Sequence, residues 1–215
     1  SVGKAFRMPS YTDLYYQDPV TQGNPNLTYE ETVNYEVGAV YEQPAWRAEA
    51  TVFAKQGRNI IDWVRTTDVE LWAVRNIASV NTTGVEVNTA LYPNRLLENF
   101  PVQAVTLAYT WLNSDKQTDG LSSRYVLDYL QHQLVVGINN ELPFDIQQRW
   151  AVRYVSRRSL DNYALVDTQI ARKFSDVNVF LRAVNLFNTT YEEIPGATLP
   201  GRWIYAGVQV NMQGW

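Results

Sequence analysis

The segment Ile146–Arg157 divides by parity into two chemically opposed sets. Successive side chains of a strand point to opposite faces. One face therefore carries Ile146, Trp150, Val152 and Tyr154, and the other Gln147, Arg149, Arg153 and Arg157. Arginines repeated along one side of a strand do not sit in a dry core without partners. Tryptophan, valine and tyrosine on the other side are not left to water. A wall with lipid on one side and water on the other satisfies both faces.

Composition is compatible with such a wall. No apolar run in the 215 residues approaches the roughly 18 needed for a membrane helix, so any spanning falls to strands. Aromatics make up 13% of the chain, mostly Tyr and Trp, the residues favoured at membrane–water boundaries. There is no cysteine, which excludes disulfides and thiolate metal sites. A net charge of −4 argues against a nucleic-acid partner. Arginine outnumbers lysine, which suits planar pairing with carboxylates in a polar lumen. Ser1–Arg7 reads as the tail of a strand, as the start of a fragment or nicked product would.

The same alternation recurs along the chain and predicts nine whole strands after that tail. They are Glu31–Tyr41, Trp46–Asp62, Arg75–Leu91, Val102–Leu112, Arg124–Leu142, Ile146–Arg157, Tyr163–Phe174, Val177–Phe187 and Gly201–Met212. Tight connections fall at Gln43–Ala45, Leu142–Asp145 and Ser175–Asp176, where Pro, Asp and Ser favour turns. Longer polar ones fall at Met8–Tyr29, Trp63–Val74 (which could hold a small hairpin of its own), Asn113–Ser123 and Asn188–Pro200, while Tyr92–Pro101 is longer than its position in the alternation requires. Short turns on the periplasmic side and long loops outside are the pattern of outer-membrane barrels. The expected fold is all-β, a transmembrane antiparallel β-barrel.

Several stretches resemble one family. Gly3-Lys4-Ala5-Phe6-Arg7-Met8-Pro9 through Leu14 is similar to a segment of TonB-dependent outer-membrane receptors. Gly23-Asn24-Pro25-Asn26-Leu27 follows, then Glu31 and Asn34-Tyr35-Glu36-Val37-Gly38, then Thr83-Gly84-Val85-Glu86. Val184-Asn185-Leu186-Phe187 with Pro200-Gly201-Arg202 resembles the end of that family's barrel. The stretches occur in the family's order across the whole chain, and cobalamin and siderophore receptors are the most similar branch. The resemblance implies that residues 1–215 are the C-terminal nine to ten strands of a barrel of roughly 22. The earlier strands, the plug domain and the TonB-contacting segment would lie outside this chain. The family ends on an aromatic residue. Met212 occupies the aligned position and Gln213-Gly214-Trp215 run past it, which leaves the true C-terminus open.

Candidate ligand contacts lie in the long loops: Tyr11, Tyr15, Tyr16, Asn24 and Tyr191. The tyrosines, with Tyr29, could stack on a planar or macrocyclic ligand, or they could form an interfacial belt. The Gly23–Leu27 motif is expected to fix loop shape more than to touch ligand. Asn185–Phe187 and Gly201–Arg202 are expected to shape the last hairpin. Glu36, Glu49, Glu86, Arg149, Arg153 and Arg157 are expected to face the lumen or plug. The arginines would either pair within the wall, with those glutamates as partners, pair with plug carboxylates, or line the path of an anionic substrate.

Catalysis finds little support. His132 is the single histidine, so a histidine-rich metal site is excluded and a triad would depend on it alone. A lipid-facing lipase using His132 with Ser122 or Ser123 is the enzyme alternative, but no G-x-S-x-G accompanies it. Neither a phosphate loop nor a calcium loop is present, and no cofactor is expected. The expected function is uptake of a scarce nutrient, a siderophore, cobalamin or similar, across the outer membrane of a Gram-negative bacterium. Its partners are the rest of the barrel, the plug, the TonB complex, the ligand and the bilayer. The alternatives are a passive porin and a soluble β-rich binding domain.

Overall fold

The computed structural model describes all residues except 68, 118–120, 124–129, 159, 195 and 211–215. Ten long strands form one antiparallel sheet in strict sequence order. They are β1 (Val2–Arg7), β2 (Glu30–Gln43), β3 (Trp46–Arg65), β4 (Trp72–Leu91), β5 (Val102–Gln117), β6 (Leu130–Leu142), β7 (Ile146–Arg157), β8 (Tyr163–Phe174), β9 (Val177–Val184) and β10 (Trp203–Val210). Part of the expected sixth strand, 124–129, and the expected chain end at Met212 lie outside the described residues.

The register aligns the apolar parities across the sheet. Tyr41, Ala48, Thr89, Leu107, Val136, Val152 and Val166 form one row. Ala39, Ala50, Val87, Tyr109, Leu134 and Tyr154 form the next. On this face Val37, Val52, Leu181 and Val208 remain more than half exposed. An apolar face of that extent is rare on a soluble monomer and marks a membrane or protein interface. The opposite face carries Glu36, Glu49, Glu86, Arg149 and Arg182 beside small polar residues.

Ends of the strands differ. At one end the turns are tight: Gln43 pairs Trp46 directly, Leu142 pairs Ile146 and Phe174 pairs Val177. Phe144, Asp145 and Ser175 adopt positive φ there. The longer Tyr92–Pro101 connection folds against its neighbour: the Tyr92 N–H donates to Ala45 O at 2.7 Å, and Arg95 Nη1 donates to Pro44 O at 2.6 Å.

At the other end two predicted loops are strand. The expected Trp63–Val74 loop shrinks to residues 66–71, because β3 continues to Arg65 and β4 begins at Trp72. Ile61, Asp62, Trp63 and Val64 are all buried, so this stretch is covered on both faces and shows no alternation. Likewise β5 runs on to Gln117, where Asn113–Gln117 is polar yet still paired with β4. Two smaller corrections concern β9, which ends at Val184, and the Asn188–Pro200 loop, which holds its own hairpin of Glu192–Ile194 and Ala197–Thr198.

Gly84 shows how the polar face is packed. A Cβ there would meet the Phe53 ring at 2.4 Å and Leu112 Cδ2 at 2.8 Å. The Phe53 ring thus lies across the bare backbone of β4, and the Thr83–Glu86 stretch needs its glycine for that close approach.

Candidate functional site

At the long-loop end, residues 8–29 fold back onto the projecting hairpin of β3 and β4. Ser10 caps the short helix α1 (Tyr11–Tyr15) in a reciprocal capping box with Asp13, the arrangement that satisfies two orphan donors at once. Asp13 is buried and its Oδ2 also accepts from Arg7 Nη1 at 3.3 Å. Arg7 grips Glu30 through two bonds of 2.8 Å, from Nε and Nη2. Glu30 Oε1 in turn accepts from the Ile61 N–H at 2.7 Å. One arginine therefore joins β1, β2, β3 and the loop.

The Gly23–Leu27 motif forms the second fastening. A Cβ on Gly23 would stand 3.0 Å from the backbone of Leu14 and Tyr15, so any larger residue would push this part of the loop away from α1. The Gly23 N–H donates to Tyr16 O at 2.7 Å and the Asn24 N–H to Asp13 O at 2.9 Å. Asn24 Nδ2 donates to Val74 O at 3.2 Å, and its Oδ1 accepts from the Asn26 N–H at 3.0 Å. Asn76 holds Thr28 by both its N–H and its carbonyl, each at 2.9 Å. Leu27 then packs on the buried cluster of Ile61, Trp63 and Val74.

This platform presents tyrosine. Tyr11 and Tyr15 are exposed, with ring centroids 5.1 Å apart and tilted 50°. Tyr16 stands edge-on to Trp63 and its hydroxyl donates to Asp18 at 3.1 Å. Asn24 is different: its side chain is occupied by internal hydrogen bonds. Tyr191 lies apart, its ring centroid 4.7 Å from that of Tyr163 and tilted 42°, beside the buried Val155 and Leu165. The sequence thus places the tyrosines in two groups, one over β3–β4 and one over β7–β8. Trp63 anchors the first platform from a stretch that reads as loop, Asn76 anchors it from within the expected fourth strand, and Arg182 on β9 is recoverable by parity.

The polar face carries charges of both signs in each of two clefts. Glu36 and Glu86 line a cleft of about 670 Å³ with Arg7, Glu30 and Lys55. Glu49 pairs with Arg47 at 3.2 Å, and Glu36 accepts from Asn34 and Ser1. Arg149 lies on β7, lining a different cleft of about 360 Å³ with Arg182, Asp167 and Gln169. Pairing of Arg149, Arg153 and Arg157 with Glu36, Glu49 or Glu86 within the wall is not what the structure forms. Those glutamates sit on β2–β4, several strands away, and among the described residues no carboxylate lies in ion-pairing distance of the three arginines.

His132 is on the apolar face, opposite Trp111 and Ser156. Its Nδ1 shares a 2.9 Å hydrogen bond with the Tyr109 hydroxyl. Ser123 lies instead beside β3, where its hydroxyl donates to the Asp62 carboxylate. The serine and histidine of the enzyme alternative are thus engaged by different partners.

A family model described as TonB dependent receptor-like, beta-barrel matches residues 1–188. The chain belongs to this family. Among curated proteins it is 24% identical over 206 residues to the vitamin B12 transporter BtuB of Photobacterium profundum, covering 89% of this chain and 31% of that protein. The chain therefore spans about a third of that relative's length. Among solved structures, the copper transporter OprC superposes with a TM-score of 0.73 at 14% identity, over 96% of this chain and 36% of that one. The siderophore receptor PirA from Pseudomonas aeruginosa gives 0.69 at 19% identity, over 96% and 35%. The ten-strand sheet is accordingly a portion of a larger TonB-dependent receptor barrel.

Proposed function

We propose that this chain is the C-terminal wall and part of the capture surface of an outer-membrane receptor. That receptor takes up a scarce nutrient of the siderophore or cobalamin class with energy supplied through TonB. The observation that carries the reading is the family match, together with a tyrosine-bearing platform fastened to the long-loop end of a lipid-faced wall. The family pattern of long loops outside and short turns in the periplasm supports a platform that faces the medium. Tyr11, Tyr15, Tyr16 and Tyr191 offer flat, amphipathic contact area at low entropic cost, which suits a macrocyclic or planar ligand. The lumen is filled by a plug domain of the same receptor. The chain's own residues catalyse no reaction in this reading; they capture the ligand and seat the plug.

The test is uptake by cells whose only receptor of this class is the intact protein, with and without TonB. Cobalamin and a panel of ferric siderophores serve as the probes. Saturable uptake of one probe that vanishes without TonB is expected. Diffusive, TonB-independent entry of small solutes would instead mark an open porin.

A further inference from the structure

Among the described residues, the apolar face of β6–β10 carries one formally charged side chain, Arg172. It sits near the tight-turn end, paired with Ile146 on β7 and Val179 on β9. Exposed apolar side chains surround it: Ile170, Phe174, Val179, Leu181 and Val208. Arg172 forms no ion pair among the described residues. Its guanidinium carbon lies 4.8 Å from the centre of the Phe174 ring. One row farther from the turn, Gln148 pairs Asn140 and Ile170. Gln148 is thus diagonal to Arg172 at about 7–8 Å, a separation that long side chains bridge. Asn140 Nδ2 donates to Gln148 Oε1 at 3.4 Å, so the Gln148 amide still has its N–H donors to offer.

An arginine set in a hydrocarbon-facing surface is costly unless its head reaches the headgroup level and finds an anion there. The apolar stem can lie along the wall while the head reaches out. The Phe174 ring covers one flat face of the guanidinium and leaves the in-plane N–H fork for phosphate oxygens. We infer that Arg172, with Gln148 and Asn140 beside it, binds the phosphate of one membrane phospholipid on the outer surface of the barrel. This rests on the membrane wall of the proposed function and not on its nutrient. In that reading the tight turns are periplasmic, so the lipid belongs to the inner leaflet of the outer membrane. The apolar field continues on both sides of Arg172, from Leu181 to Phe174, so the cation is embedded in the membrane wall. That continuity favours a lipid over a protein, and the positive charge selects a phosphate over a neutral headgroup.

The test titrates the intact receptor, in nonionic detergent, with dioleoylphosphatidylglycerol and counts bound lipids by native mass spectrometry. One lipid is expected to bind more tightly than the rest. Arg172→Gln should weaken that first step about tenfold, through loss of charge-assisted hydrogen bonds. Arg172→Lys keeps the charge without the fork and should fall between. Gln148→Leu should weaken the step about threefold. Dioleoylglycerol has the same chains and no phosphate, and should bind wild type and Arg172→Gln alike. Heat-modifiable gel mobility reports whether each variant is folded. Should Arg172→Gln fail to assemble, Arg172→Lys and Gln148→Leu are read in the same titration. An unchanged first step in the folded variants overturns the inference and leaves the arginine to a protein contact. Equal weakening of dioleoylglycerol binding overturns it in favour of simple packing. An Arg172-dependent preference for lipid A over the phosphatidylglycerol overturns the inner-leaflet assignment. A wild-type receptor that stays monodisperse without detergent would defeat the membrane wall itself, and shows before any substitution. Failure of nutrient uptake leaves the lipid titration untouched.

Discussion

The two flanks of this wall solve the same problem in different ways. Over β1–β4 the chain completes itself: Arg7 is shared between Glu30 and Asp13, the Gly23–Leu27 motif is bonded to α1 and β4, and Leu27 caps an apolar cluster. Over β7–β9 the inward cations Arg149, Arg153 and Arg182 form no ion pair among the described residues, although Asp167 lines the cleft of Arg149 and Arg182. A flank whose charges are already paired holds a fixed surface.

The comparison can be attacked from several sides. The largest effect tests whether the wall itself is equivalent on both flanks. Gly207 on β10 lies under the Phe180 ring, as Gly84 lies under Phe53, and a Cβ at either meets the ring at 2.4 Å. Gly84→Val and Gly207→Val should each destabilise the barrel by about 3 kcal/mol through overpacking, read as loss of the folded gel form with heat. Unequal losses would show that the flanks differ in packing as well as charge.

Arg7→Ala sharpens the contrast directly. It removes three hydrogen bonds to two carboxylates and should raise hydrogen exchange across residues 8–29 by the equivalent of about 2 kcal/mol. Asn76→Ala leaves Thr28 and Asn59 without the side-chain amide and should cost about 1 kcal/mol in the same readout. Arg149→Ala, by contrast, should move the melting of the barrel alone by no more than about 0.5 kcal/mol. A large loss there would mean the arginine flank is internally satisfied after all.

The smallest expected effect concerns the 66–71 turn. The Thr66 N–H donates to Glu70 Oε2 at 2.9 Å, and this bond holds the exposed Glu70 carboxyl below the usual carboxylate range. A pKa lowered in the folded state stabilises at neutral pH and loses that contribution as pH falls through the lowered value. Exchange at the Thr66 amide should therefore rise, once corrected for intrinsic rate, only below the ordinary carboxylate range, and Glu70→Gln should abolish the pH dependence.

Much of this architecture could be read from the sequence, and the failures share a cause. Ile146–Arg157 and Tyr163–Phe174 were predicted with the bounds observed, because each has one face on lipid and one on the lumen. Trp63 and Val64 read as loop because both faces of Ile61–Val64 are covered, which erases the period of two. Asn113–Gln117 was missed because it is strand rich in polar residues, and polarity alone reads as loop. The Gly23–Leu27 motif read as a loop-shaping element, but its contact with the Leu14 backbone is a tertiary fact that no local pattern encodes. Parity put Arg149, Arg153 and Arg157 on the face opposite the apolar one, yet it could not name neighbours. That is why Glu36, Glu49 and Glu86 were offered as partners across strands that never meet.

The central claim is that β7 has one lipid face and one lumen face. The chain contains no cysteine, so single cysteines at 149 through 154 in the intact receptor can carry a nitroxide label without background. Oxygen accessibility in membranes should oscillate with a period of two, high at 150, 152 and 154 and low at 149, 151 and 153. A flat profile, or a water-soluble relaxation agent reaching 150, 152 and 154, would contradict the account.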